Sequence, residues 1–71
     1  MRDYVTIFAQ TSTGWSAHVP DLPGLGVAGP TCEAAEQLLR EGIVFHIEGM
    51  IVDGDAIPEP TTRVARMPIS A

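Results

Sequence analysis

Polar and apolar positions alternate from the start of the chain. In residues 3–10, "DYVTIFAQ", Val5, Ile7 and Ala9 share one side and Tyr4, Thr6 and Phe8 the other, a period of two that predicts a strand partly covered on both faces. Residues 11–14, "TSTG", have the Ser, Thr and Gly composition of a turn. Alternation then resumes in "WSAHVP", with Trp15, Ala17 and Val19 on one face and Ser16 and His18 on the other, so the two segments predict a β-hairpin. Pro20 ends the second strand, because proline cannot donate to the ladder.

The next stretch, "VPDLPGLGVAGPT", concentrates proline and glycine. Pro23 pre-sets φ for the second position of a type II turn, and Gly24 accepts the positive φ that the third position needs. The chain reverses there. "LGVAG" is long enough for a third antiparallel strand with Leu25 and Val27 inward.

From Ala35 the period changes to that of a helix. Leu39, Gly42, Ile43, His46, Ile47 and Met50 recur at spacings of three and four, while Glu33, Gln37, Arg40, Glu41 and Glu48 share the opposite surface. Thr31 is a suitable N-cap, Glu33 puts negative charge in the first turn, and Pro30 breaks the preceding extended segment. Leu38, Val44 and Phe45 widen the apolar stripe beyond what a three-stranded sheet requires. This is either a broad core stripe or a flank that meets another subunit or a partner. Gly54 stops the helix, and Pro58 and Pro60 prevent its continuation. Beyond them "TRVARMPISA" alternates weakly through Val64 and Met67, which predicts a last strand at a sheet edge because Pro68 interrupts it.

These elements make one α+β domain over residues 1–71, in the order β-β-β-α-β, with an antiparallel sheet packed on one helix. A chain of 71 residues buries only a thin core. The single Cys32 excludes an intramolecular disulfide and two histidines offer little for zinc, so self-association, as a homodimer or higher even oligomer, is the expected source of further stability. No apolar run approaches the ~20 residues of a membrane span, and the N-terminus lacks the long apolar region of a signal peptide. A cytoplasmic location is expected, with no membrane partner.

Nine acidic residues stand against four arginines and no lysine, for a formal net charge of −5. That balance argues against direct nucleic-acid binding, which depends on clustered Lys and Arg. It favours instead a basic protein partner, drawn in by opposite fields.

Residue by residue, little points to catalysis. His18 reads as an exposed strand residue and His46 as a packed one. Cys32 sits at a helix start, where a thiolate is favoured, without a placed base. Asp53, Gly54 and Asp55 resemble the opening of a calcium loop, but Val64 falls where such a loop needs its bidentate Glu. Asp21 reads as a turn carboxylate bonding nearby backbone N–H groups. No cofactor is expected.

The pieces "WSAHVPDLPG", "GPTCEAAEQLLREGI" and "DGDAIPEP", in this order, resemble the HicB-like antitoxin family over nearly the whole chain. Two positions depart from the usual pattern: Leu25 stands where a cysteine is common, and Gly29-Pro30-Thr31 replaces Gly-Asp-Thr. The resemblance implies a fold similar to a partial ribonuclease-H domain. A nuclease of that kind needs a carboxylate inside the first strand, where this chain has Val5 to Ala9, so no enzymatic activity is expected. It also implies the antitoxin of a type II pair, neutralising a small basic HicA-like toxin that cleaves messenger RNA. With only residues 61–71 after Pro60, no C-terminal DNA-binding module is expected. The competing reading is a solitary dimeric ligand-binding or regulatory module with no toxin. For the toxin contact, Asp21, Glu33, Glu36, Glu41 and Glu48 are the expected steering charges and Leu38 and Phe45 the expected apolar contacts. Pro20, Pro23, Gly24 and Thr31 are expected to shape the backbone.

Overall fold

The computed structural model describes residues 2–70; Met1 and Ala71, the ends of the expected domain, lie outside the described residues. Strands β1 (Ile7–Gln10), β2 (Trp15–His18) and β3 (Gly26–Gly29) precede one helix, α1 (Cys32–Asp53). The arrangement is α+β. The sheet runs in the order β1-β2-β3 and is antiparallel throughout, with Phe8 opposite Ala17 and Ala17 opposite Val27.

Thr11 closes the β1–β2 hairpin: its hydroxyl oxygen accepts from the N–H of Gly14 at 3.1 Å, and its own N–H donates to the Gly14 carbonyl at 2.8 Å. After β2 the chain makes two successive turns. Leu22 N–H donates to the Val19 carbonyl at 3.0 Å and Leu25 N–H to the Leu22 carbonyl at 3.3 Å. Gly24 lies inside the second turn with φ 86°, the left-handed region where a Cβ is strained. Those turns drive Leu22 into the interior, where it is fully buried.

The core follows from one face of the sheet meeting one stripe of the helix. Ala17, Val19, Leu22, Ala35 and Leu39 are buried, and Tyr4, Phe8, Trp15, Leu25, Val27 and Ile43 pack against them in part. In the first strand the sequence offers two comparable faces, and pairing decides between them. Residues directly opposite in an antiparallel pair share a face, so Phe8, across from buried Ala17, turns inward. Ile7 and Ala9 turn to the open side.

The expected final strand does not form. Residues 55–70 carry no regular secondary structure, and Val64 and Met67 are exposed. Pro58, Pro60 and Pro68 each remove a ladder donor, and the segment is attached through side chains instead. Tyr4 Oη donates to the Pro58 carbonyl, Arg2 pairs with Glu59 at 3.1 Å, and Asp21 holds Thr61 and Thr62. Its first half thus lies against the start of the first strand and the turn after β2. Among the described residues no helix is long and apolar enough to cross a membrane.

Candidate partner-binding surface

The surface is built on α1. Thr31 caps the helix with extended backbone (φ −132°, ψ 163°), and its Oγ1 accepts from the Ala34 N–H at 3.0 Å. At the other end Gly54, with φ 74°, donates to the Ile51 carbonyl at 3.2 Å, and Asp55 N–H donates to the Met50 carbonyl at 2.9 Å. This paired closure satisfies carbonyls that a helix end otherwise leaves without partners. The ends are therefore fixed, and a 22-residue helix outreaches four-residue strands. Its side opposite Leu39 has nothing to cover it.

At 100° per residue, Glu41 and Glu48 run along the outermost line of that side. Val44 and Ile51 flank them on one side, Phe45 and Val52 on the other. These apolar side chains are in solvent: Phe45 is 79% exposed, Val52 84% and Val44 53%. Arg40, Glu41, Val44, Phe45 and Glu48 line one shallow depression. Glu41 accepts a bond from Gln37 at 3.3 Å, and Glu36 and Arg40 stand 4.0 Å apart one turn along. Exposed pairs of that kind contribute little, which leaves the carboxylates available to a cation from outside.

A second groove runs between the first strand and α1, lined among others by Tyr4, Phe8, Glu36, Leu39, Arg40 and Ile43. Arg2 and Arg40 balance Asp3 and Glu36 there, whereas on the outer face Glu41 and Glu48 outnumber Arg40.

Of the residues singled out from sequence, Glu41, Phe45 and Glu48 come together on this outer face, and Leu38 lies two turns N-terminal to Phe45 on the same flank, 43% exposed. Glu33 sits in the first turn and Glu36 faces the second groove, so these two stand apart from the Phe45 cluster. Asp21 is elsewhere and already engaged. Its Oδ2 accepts the N–H groups of Thr61 and Thr62, both at 3.2 Å, and its Oδ1 accepts their hydroxyls at 3.0 and 2.9 Å. Desolvation alone raises its pKa, yet the bonds from Thr62 and Thr61 together outweigh that effect and hold it below the ordinary carboxylate value. The local turn bonding expected for Asp21 is thus replaced by partners forty residues away. No local signal marks them, because a pair of threonines between prolines and an arginine has no periodicity to read. Exposed Ile51 and Val52 also went beyond the three residues flagged as widening the stripe, although helical spacing puts them on the same face.

His18 is exposed on β2, His46 half-buried on the inner stripe, and Cys32 a free thiol in the first turn. Among the described residues no three His, Cys, Asp or Glu side chains gather where they could hold a metal. An exposed apolar strip with an acidic rim can bind a complementary surface.

The fold is that of a small α+β domain with one exposed helix face. The profile described as the HicB_like antitoxin of bacterial toxin-antitoxin systems covers residues 4–68, and the chain belongs to that family. A Haemophilus phage HP1 (strain HP1c1) protein, named only as an uncharacterized 14.9 kDa protein in the rep-hol intergenic region, is 38% identical over 56 residues. Those residues are 79% of this chain and 42% of the phage protein, so the chain spans less than half of that relative's length.

Proposed function

We propose that this antitoxin-family protein binds a small basic HicA-like toxin and neutralises it by covering the surface that takes messenger RNA. The observation that carries the reading is the exposed strip of Val44, Phe45 and Val52 beside Glu41 and Glu48. An RNA-cleaving toxin must itself present cationic groups to phosphates, and an acidic, apolar-centred surface competes for those same groups. Charge sets the encounter rate and orientation, while the buried aromatic contributes most of the affinity. The antitoxin would act in the cytoplasm, where such a toxin meets its substrate, and by occupancy rather than catalysis. The frame is read as ribonuclease-H-like, with Val5 to Ala9 where a nuclease of that type has a carboxylate.

Co-expression with any short basic protein encoded by an adjacent reading frame tests this. The pair should co-purify, and the antitoxin should abolish RNA cleavage by the isolated toxin. RNA cleavage by the antitoxin alone, or no association with the neighbouring product, would remove the reading.

A further inference from the structure

The chain also carries a segment complementary to its own helix face. Among residues 60–71 there is no acidic residue, and Arg63 and Arg66 give the segment a formal charge of +2, against −7 for residues 1–59. Val64, Met67 and Ile69 are spaced along it and all are exposed. The tail therefore complements the outer face of α1, where Glu41 and Glu48 outnumber the one Arg40: it brings net positive charge beside apolar side chains. Phe45 and the tail's apolar residues are exposed together in one molecule, so a chain does not cover its own strip with its own tail. The reason is visible in the attachment, since Tyr4, Arg2 and Asp21 hold residues 58–62 at the end of the sheet, and only residues beyond them are free to reach outward.

We propose that residues 63–70 of one copy dock on the α1 face of a second copy around Phe45, and that the exchange is reciprocal. Arg63 and Arg66 meet Glu48 and Glu41 of the facing helix, and Val64 and Met67 cover its Phe45 and Val44. Because each tail takes the helix face of the copy that covers its own, the pair closes as a two-fold dimer, whereas one-way docking would propagate. A chain whose buried hydrophobic side chains are Ala17, Val19, Leu22, Ala35 and Leu39 gains apolar burial that it cannot supply alone. Both halves lie in this sequence, so the proposal is tested with no toxin present; the tail takes the same α1 face that the toxin reading uses, so tail and toxin would occupy it in turn.

Sedimentation equilibrium on the chain, the charge-reversed tail Arg63→Glu/Arg66→Glu and the charge-reversed face Glu41→Arg/Glu48→Arg is the experiment. All four side chains are exposed, and unchanged circular dichroism verifies folding. The unmodified chain should be a dimer, and each variant alone should dissociate with a constant raised on the order of tenfold or more. An equimolar mixture of the two variants should associate again, because each reversed tail then meets a face of opposite sign. A monomeric unmodified chain, a dimer indifferent to both reversals, or a mixture that stays monomeric would overturn the proposal. A second measurement needs no substitution: in a mixed labelled and unlabelled sample, intermolecular nuclear Overhauser contacts should join Met67 to the Phe45 ring, and their absence in a dimer would equally overturn it.

Discussion

Asp21 and Thr62, forty-one residues apart in the chain, are joined twice: the Thr62 N–H donates to Oδ2 at 3.2 Å and its hydroxyl to Oδ1 at 2.9 Å. Thr61 repeats the same pattern. One carboxylate thus fixes the point where the C-terminal segment leaves the body of the protein. Asn at position 21 has a single acceptor oxygen and an NH2 group in place of the other, so Asp21→Asn should free residues 60–62. Trypsin can report this, because the chain has no lysine and its arginines are Arg2, Arg40, Arg63 and Arg66. Cleavage after Arg63 should accelerate several-fold in the variant, with cleavage after Arg66, in the already exposed tail, nearly unchanged. Equal rates at Arg63 in both proteins would show that the carboxylate does not hold the segment.

The same contact gives a pH dependence of definite sign. Asp21 has a folded-state pKa below its ordinary value, so its contribution is complete above the unfolded value of about 3.9 and is lost as pH falls through the lowered one. Arg63 protection should therefore be constant from neutrality to mild acid and decline only in strong acid. Amide exchange at Thr61 and Thr62 measures it in that range, where trypsin does not work. Fast exchange of both amides near neutral pH would contradict the assignment.

Two glycines separate backbone strain from lack of space. A Cβ on Gly24 meets nothing within 4 Å, but φ is 86°, so Gly24→Ala should cost about 1–2 kcal/mol through conformation alone. Gly14 has an ordinary φ, yet a Cβ there overlaps the Gly29 carbonyl oxygen and lies 2.9 Å from the Pro30 Cα. Both obstacles are backbone and neither can rotate away. Gly14→Ala should destabilise by roughly 1–3 kcal/mol, and denaturant midpoints will rank the pair; a neutral Gly14→Ala would mean that the hairpin and the β3–α1 junction separate easily.

What sequence could and could not show divides along the range of the interactions involved. The turn chemistry before β3 and the three-four spacing of α1 depend on neighbours in the chain, and the three strands and the helix were legible from them. Which face of the first strand is buried was not: Val5, Ile7 and Ala9 match Tyr4, Thr6 and Phe8 in apolar content, and the choice belongs to the register with β2. The last strand failed for a related reason, since weak alternation through Val64 and Met67 was overridden by three prolines and by long-range bonds to Tyr4 and Asp21. The exposure of Phe45 is intermediate, its place on the helix being readable while the absence of a covering element is not.

The cap offers a local test of the helix. Thr31→Ala removes the acceptor for the Ala34 N–H, a bond of 3.0 Å, and should cost about 0.5–2 kcal/mol. Thr31→Asp should retain most of that stability, and a thermal midpoint lower than that of the alanine variant would show that the cap is not what holds this helix start.

Leu39 and Phe45 are the decisive comparison for the proposed partner-binding surface. Both are large apolar residues on α1, but Leu39 is 2% exposed against the sheet while Phe45 stands in solvent. Leu39→Ala leaves a cavity and should lower stability by about 2–5 kcal/mol, so any loss of partner binding would accompany unfolding. Phe45→Ala removes no contact within its own chain, and at concentrations where the protein is monomeric its effect on stability should fall within about 0.5 kcal/mol of zero. If the helix strip is the docking surface, the Phe45 variant should nevertheless bind its partner on the order of tenfold or more weakly, as expected for a central aromatic anchor. Calorimetry with any toxin that co-purifies measures this, with Ile7→Ala, on the open side of the sheet, as the control. A folded Phe45→Ala protein that binds at full strength would move the contact away from α1, to the groove beside the first strand.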